Sequence, residues 1–297
     1  MTDRRTGRSS GPVLVTGANG LIGSATVAAI RRQGADAIPM TRSGPGIACD
    51  LRDPTGVRSA LAASHPATVV HTAYLLADRS HDSPREAAET NVLGFLNVVE
   101  ACVDAGVGSF LYASSIAVYE PGEATDLARC CPATPYGTMK LLNEQWMSEM
   151  GAAFRRCCCV RIVNAYDDVV GRGGTGWLST AVRAALSRGP SFVRLAHDAA
   201  MSIMWARELG ERLAAIALHG EEAPWPSSVD SGGERVTGSL LASALRDAGA
   251  SSVVLGEERY DYPTTVSSPW LDELTGASVV SLSAALSRMG RLRARPS

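Results

Sequence analysis

"PVLVTGANGLIGSATVAAIRRQG", residues 12–34, is the stretch whose reading decides the fold. It opens with a short apolar run, as a strand buried on both faces does. From Leu21 the apolar residues recur at helical spacing, and Gly34 closes the segment where a helix ends. Between the strand and the helix stand Gly17, Gly20 and Gly23, three residues apart. Their missing side chains let the backbone turn tightly and approach a pyrophosphate, which gains from the partial positive charge at a helix N-terminus. A bare glycine pattern is a weak signal, but a strand before it and a helix after it make a dinucleotide-binding signature. Gly17, Asn19, Gly20, Leu21, Ile22 and Gly23 are the residues expected against the cofactor.

Working outward, "DAIPMTR" reads as the second strand, whose end separates the two nicotinamide cofactors. A carboxylate there accepts from a ribose 2'-hydroxyl and repels a 2'-phosphate. This chain has Thr41, Arg42 and Ser43 instead. Arg42 offers a fork for a 2'-phosphate, which points to NADP with NAD as the alternative; its other reading is a solvated loop arginine. Further on, Asp50 in "ACDLRDP" is placed to accept the adenine amino group, and Asp53 is a helix N-cap or turn residue.

The same alternation continues. "ATVVHTA", "SFLYASS" and "CCCVRIVNAY" read as strands, and "SPREAAETNVLGFLNVVEACVDAG" and "PYGTMKLLNEQWMSEMG" as helices, the second opened by a proline. The expected fold is α/β, a Rossmann-like doubly wound parallel sheet over residues 1–166, with 1–11 as a flexible lead. Residues 167–297 are expected to form mainly a smaller substrate-binding domain, some segments of it returning to the first. "DDVVGRGGTG" reads as a loop, "EEAPWPSSVDSGGE" as a turn-rich connector and "RMGRLRARPS" as a solvated, frayed end.

Bulk properties set limits. The 297 residues are 45% apolar and 20% charged, with a formal net charge of -2. No global basic footprint for nucleic acid or anionic membrane follows, and no stretch approaches a membrane span or a signal peptide. The seven cysteines form no metal-ligand spacing, and the run Cys157–Cys159 suits a buried strand. A reduced, cytoplasmic compartment and no metal are expected.

Lys140 is the sole lysine: Lys and Arg total 28, and every other one is arginine. Arginine is a broad planar fork and lysine a compact point charge on a slim stem, so a narrow site distinguishes them. Tyr136 lies four residues earlier, on the same helix face. A cation beside a phenol favours the phenolate and brings proton exchange toward neutral pH, which hydride transfer at a carbonyl requires. Ser114 and Ser115 end the preceding strand, where an open sheet presents reactive groups.

In order, "TGANGLIG", "DLRD", "VVHTA", "NVLGFLNVVEA", "YASSIAVYE", "PYGTMK" and "RIVNAY" resemble the extended short-chain dehydrogenase/reductase family, which contains nucleotide-sugar epimerases, dehydratases and related ketoreductases. The likeness covers residues 13 to about 166, and "LDELTGASVVSLSAAL" extends it weakly. It implies Tyr136 as acid/base, Lys140 on the nicotinamide ribose, Ser115 polarising the substrate, with Ser114 the lesser choice, and Asn91 supporting the catalytic group. It places Gly17, Gly20 and Gly23 at the pyrophosphate, Asp50 and Leu51 beside the adenine, Ala73 along the groove and Asn164 at the substrate. Three departures stand out. "SSIAVYE" lacks the Asp-Glu pair of dehydratases. "AAMSIMWAREL" has Met201 and Trp205 where a basic residue usually grips a diphosphate. Asp167 replaces the usual glycine. Met201, Met204 and Trp205 form either an apolar substrate pocket or packed core.

The expected activity is an NADP(H)-dependent ketoreductase or secondary-alcohol dehydrogenase on a small molecule. An NAD-dependent nucleotide-sugar epimerase is the alternative, and a non-catalytic nucleotide sensor the third reading. A homodimer through the helices starting near Pro84 and Tyr136 is also implied, with Phe95, Leu96 and Trp146 either at that interface or buried in one subunit.

Overall fold

The computed structural model describes residues 11–76, 83–125, 129–169, 176–219, 224–260 and 262–294. The N-terminal lead to residue 10 and most of the glycine-rich loop lie outside them. In chain order the strands are β1 (Val13–Thr16), β2 (Ala37–Thr41), β3 (Ile47–Ala48), β4 (Thr68–His71), β5 (Ser109–Ser115), β6 (Arg156–Ile162), β7 (Asn164–Tyr166), β8 (Pro190–Leu195), β9 (Ala200–Trp205), β10 (Ser228–Asp230), β11 (Glu234–Thr237) and β12 (Ser252–Glu258).

Seven of them form one sheet in the order β10-β6-β5-β4-β1-β2-β3, with every pair parallel. All residues of β1, β4 and β5 are buried, as apolar strands covered by helices on both faces must be. One covering layer, including the Pro54–Ser64 and Gly94–Asp104 helices, packs Leu61, Phe95, Val99, Phe110 and Tyr112 together. The other, including the Leu21–Arg32 and Ala206–Leu218 helices, packs Ile30, Val160, Leu209 and Leu213. Gly210 lets those two helices cross with backbone against backbone, since a Cβ there would strike Ala25. The fold is thus Rossmann-like. Strand order reverses at β1, between β4 and β2, and at such a switch point the carboxyl ends of the strands open a crevice.

Several expectations are corrected. "CCCVRIVNAY" is two strands: β6 ends at Ile162, and the Val163 N–H donates to Ser231 Oγ (3.2 Å) instead of continuing a ladder. β7 then joins β9 and β11 in a second sheet. The connector "EEAPWPSSVDSGGE" contains β10, which pairs with Cys159–Arg161 and completes the large sheet. The long helix read from residue 83 is interrupted by a π turn over Glu89–Leu93. The C-terminal end is not frayed through Arg293: a helix spans Leu282–Arg293, anchored by buried Leu286 and Met289, and Arg293 Nε donates to Asp168 Oδ2 at 2.8 Å. Phe95 is fully buried within the subunit. Met201 and Trp205 lie in the core of the second sheet and Met204 in the core of the first, so the three are packed core and not a shared pocket. Asp53 caps the Pro54–Ser64 helix by accepting from Thr55 N at 3.0 Å.

Among the described residues no helix is long and apolar enough to cross a membrane.

Candidate active site

The glycine turn sits at the switch point. Gly17 has a φ of +64°, and a Cβ on it would lie 2.6 Å from Ala73 Cα. A Cβ on Gly23 would lie 2.7 Å from Thr72 Oγ1. The end of β1 is pinned to the segment after β4 by Thr16, whose hydroxyl accepts from Thr72 N (3.2 Å) and Ala73 N (3.3 Å). The helix that follows, Leu21–Arg32, starts from Gly20 with no side-chain cap and no acidic residue in its first turn. Its first N–H groups are free of internal acceptors and carry the positive end of the helix dipole. A tight cradle that excludes side chains, opening on an uncapped helix N-terminus, fits the pyrophosphate of a dinucleotide.

Two adjoining cavities run from this turn. The first, about 250 Å³, is lined by Gly17, Gly20, Arg42, Asp50, Leu51 and Ala73 among others. Arg42 is exposed and 3.9 Å from Glu86. Asp50 is held below the usual carboxylate range by its hydrogen bonds to Arg52, the shortest at 2.6 Å. Asn19 lines neither described cavity; its side chain donates to Ser43 O at 2.6 Å and ties the turn to the end of β2. The second cavity, about 420 Å³, is lined by Gly20, Leu21, Ile22 and Gly23 on one side and Ser114, Ser115, Tyr136, Lys140 and Asn164 on the other. Gly20, Thr72 and Tyr74 border both.

Helix placement sets the reactive pair. Pro135 opens the Pro135–Met150 helix and Thr134 caps it by accepting from Gly137 N at 3.1 Å. Gly137 lets that first turn press against the Ile116–Val118 turn after β5, since a Cβ would lie 2.9 Å from the Ala117 carbonyl carbon. Tyr136 thereby meets the end of β5 and lines the same cavity as Ser115. Burial pushes the Tyr136 phenol up to about 12, with Ser115 working the other way. In this environment burial outweighs the expected lowering by Lys140, so Tyr136 holds its proton at neutral pH. Burial likewise drags Lys140 down to about 7, opposed by Glu144 and Cys159. The Lys140 ammonium donates to Ala113 O at 2.6 Å.

Ser114 and Ser115 part company. Ser115 faces Tyr136, whereas Ser114 Oγ donates to buried Glu144. Glu144 also takes a bidentate contact from Arg161 (2.7 and 3.1 Å), and Arg161 donates to Tyr119 Oη at 2.8 Å, which donates to Asp230. This chain of buried, paired groups braces the wall behind the reactive residues. Asn91 lies outside both described cavities. It accepts from Leu75 N (2.7 Å) and donates to Leu75 O (3.0 Å), holding the segment after β4. It positions and does not face the reacting groups, and the π turn carries it there. Asn164 lines the cavity but donates to Ser202 O at 2.9 Å.

The far wall consists of Arg194, Glu258, Tyr260 and Tyr262. Arg194 Nε donates to Glu258 Oε1 at 2.7 Å. β12 shifts register between Leu255 and Glu258, and Glu258 lines the cavity. None of these four carries a local sequence signal. Thr72 and Tyr74 stand directly after a buried strand, a position from which they were legible.

A serine and a protonated tyrosine, lining one cavity beside the glycine cradle, can stabilise negative charge on a carbonyl oxygen and deliver a proton to it. The cradle makes a direct prediction. Gly17→Ala forces a Cβ into the Ala73 backbone at a left-handed φ, so stability falls by about 1–3 kcal/mol and affinity for NADH drops by about tenfold or more. Thermal melts and cofactor fluorescence check both; an unchanged NADH affinity in the folded variant shows that the turn does not hold the pyrophosphate.

A profile of the NAD dependent epimerase/dehydratase family matches residues 13–224. A UDP-glucose 4-epimerase of Rhizobium leguminosarum bv. trifolii is 30% identical over 202 residues, 61% of this chain and 62% of that protein. A dTDP-4-dehydrorhamnose reductase of Mycobacterium tuberculosis is 28% identical over 215 residues, 69% of this chain and 65% of that protein. The match thus spans under two thirds of either relative's own length. The crystal structure of Thermus thermophilus UDP-glucose 4-epimerase with NAD superposes with a TM-score of 0.78 at 23% identity, covering 94% of this chain and 99% of that one, which shows the shared fold. With the family profile spanning most of the chain and the glycine turn, Ser115, Tyr136 and Lys140 gathered at one crevice, the protein belongs to the NAD-dependent epimerase/dehydratase family, enzymes of the extended short-chain dehydrogenase/reductase type.

Proposed function

We propose that the protein is a nicotinamide-dependent enzyme acting at one secondary-alcohol or ketone carbon of a small molecule, as a nucleotide-sugar epimerase. The observation that carries the redox reading is the Ser115–Tyr136 pair beside Lys140, in the cavity that the glycine turn borders. The epimerase reading takes its support from UDP-glucose 4-epimerase relatives. When bound, the nicotinamide supplies or takes up hydride. Tyr136 Oη gives its proton to the substrate oxygen during reduction and recovers it during oxidation. Ser115 Oγ hydrogen-bonds the same oxygen and stabilises its developing charge. Lys140 lines the same cavity and carries its positive charge as pH falls through about 7.

One observation favours a second reading, a ketoreductase. Lys140 and Arg194 are the cations among the residues lining the larger cavity, and Arg194 is paired with Glu258. That wall offers a diphosphate no surplus positive charge. The dTDP-4-dehydrorhamnose reductase relative supports the same reading. Incubation with NAD and UDP-glucose, following UDP-galactose by chromatography, separates the two: redox-neutral interconversion supports the epimerase, and steady NADPH consumption by ketones supports the reductase.

Arg42 is proposed to read a 2'-phosphate, because its guanidinium is exposed at the cavity and Asp50 is engaged by Arg52. Arg42→Ala is expected to weaken NADPH binding about tenfold while leaving NADH binding within about twofold. Equal loss for both cofactors in a binding titration removes that role.

A further inference from the structure

Lys140 is 4% exposed, and among the described residues no carboxylate forms an ion pair with it. An unpaired buried charge is costly and persists only where other groups replace water. One replacement is the Ala113 carbonyl, at 2.6 Å. The rest are aromatic faces. The ammonium sits 3.6 Å from the centre of the Tyr74 ring, 4.9 Å from that of Tyr112 and 5.9 Å from that of Tyr136. A desolvated ammonium over a ring face is held by the ring quadrupole, most strongly at the shortest distance.

Tyr74 is fixed in that position from three sides. Its ring meets Tyr136 edge to face at 5.3 Å. Its hydroxyl reaches the Tyr136 carbonyl at 3.5 Å. Asn91 clamps both backbone groups of the next residue, Leu75. The ring also stands where the two cavities join.

We propose that Tyr74 is a positioning residue for Lys140: its ring face caps the ammonium and, with Tyr112, confines it between the Ala113 carbonyl and the cofactor groove. This goes beyond the proposed function and depends on neither substrate. It also gives the sole lysine a physical reason, since the space between a ring face and a backbone carbonyl admits a slim ammonium and not a planar fork.

The sole lysine makes the test direct. Protein labelled with [¹³Cε]lysine gives one lysine resonance, whose pH titration reports Lys140 without substrate or cofactor. The other titratable groups facing Nζ are Glu144 on the same helix, Cys159 on β6, His71 on β4, and Tyr112 and Tyr136. Burial keeps the His71 imidazole neutral, down to about 3, and holds the Cys159 thiol and the Tyr112 and Tyr136 phenols protonated at neutral pH. Glu144 is engaged by Ser114 and Arg161. Tyr74→Phe, which keeps the face, is expected to titrate like the wild type. Tyr74→Leu, which removes it, is expected to titrate about one pH unit lower or more and to bind NADH about tenfold more weakly at pH 8. Tyr74→Met substitutes if the leucine variant does not fold by circular dichroism. An unchanged or raised midpoint without the ring overturns the proposal. So does a drop in Tyr74→Phe equal to that in Tyr74→Leu, because the hydroxyl and not the face would then be responsible.

Discussion

Tyr136→Phe is expected to lower turnover by about 10²–10⁴-fold while cofactor affinity and thermal stability stay close to wild type. The reason is local. The phenol is half-buried in the cavity wall that Ser115 also lines, and desolvation pushes it up to about 12, so at neutral pH it holds its proton. Phenylalanine keeps the ring against Tyr74 and removes the proton donor. The same burial fixes the pH dependence. In the direction that oxidises an alcohol, Tyr136 must first lose its proton, so that rate is expected to rise with pH through the neutral and mildly alkaline range. In the reducing direction the donor is already protonated, so at saturating cofactor Tyr136 does not limit the rate there, while NADH affinity is expected to fall as pH rises through the Lys140 midpoint near 7. Steady-state kinetics in both directions check this, and wild-type turnover by Tyr136→Phe would falsify the assignment.

Lys140→Arg is expected to lose about a hundredfold in activity and to weaken NADH binding about tenfold, although the formal charge is unchanged. The ammonium occupies a slot between the Ala113 carbonyl at 2.6 Å and the Tyr74 ring at 3.6 Å. A guanidinium is wider than that slot and five donors need partners, so it must displace Tyr74 or turn away toward Glu144, one helical turn on. Overpacking of this kind costs about 1–3 kcal/mol, which a folded domain of this size tolerates. The melting temperature is therefore expected to fall by a few degrees while the cofactor titration changes far more. A Lys140→Arg variant with wild-type NADH affinity and rate would return the solitary lysine to an accident of composition. Lys140→Met serves as the reference for loss of charge without added bulk.

Much of this site is readable in the chain because its parts are local. The glycine turn lies within one strand-turn-helix, so its spacing already marks the tight backbone turn that Gly17 makes at positive φ, whereas the close approach of Gly23 to Thr72 comes from packing against the segment after β4. Tyr136 and Lys140 share a helix face by periodicity alone, and Thr134 and Pro135 announce where that helix starts. Strand β5 was legible to its last residue, because an apolar run ending in two serines has few other uses. What failed was non-local. "CCCVRIVNAY" is uniformly β-forming, and nothing in it marks the break at Val163, which Ser231 enforces from 68 residues away. β10 is three residues long and half exposed, and only its pairing with β6 makes it a strand. Met201, Met204 and Trp205 stayed open between pocket and packed core because apolar residues in sequence look alike whether they line a cavity or fill one. Alternation along β9 sends them into two different cores.

By itself the sequence determined a parallel α/β sheet, a glycine turn between its first strand and helix, and a tyrosine and lysine on one helix face, while Ser115 came from the family resemblance. The turn and the helix pair follow from interactions within a few residues along the chain, where geometry is dictated by backbone sterics and helical or strand period. The tertiary structure alone decided that Glu144 engages Ser114, the burial that leaves Tyr136 protonated and drags Lys140 toward neutrality, and the far wall of Arg194, Glu258, Tyr260 and Tyr262. Those depend on which groups are withdrawn from water together, and desolvation is a property of the packed molecule, not of any stretch of chain.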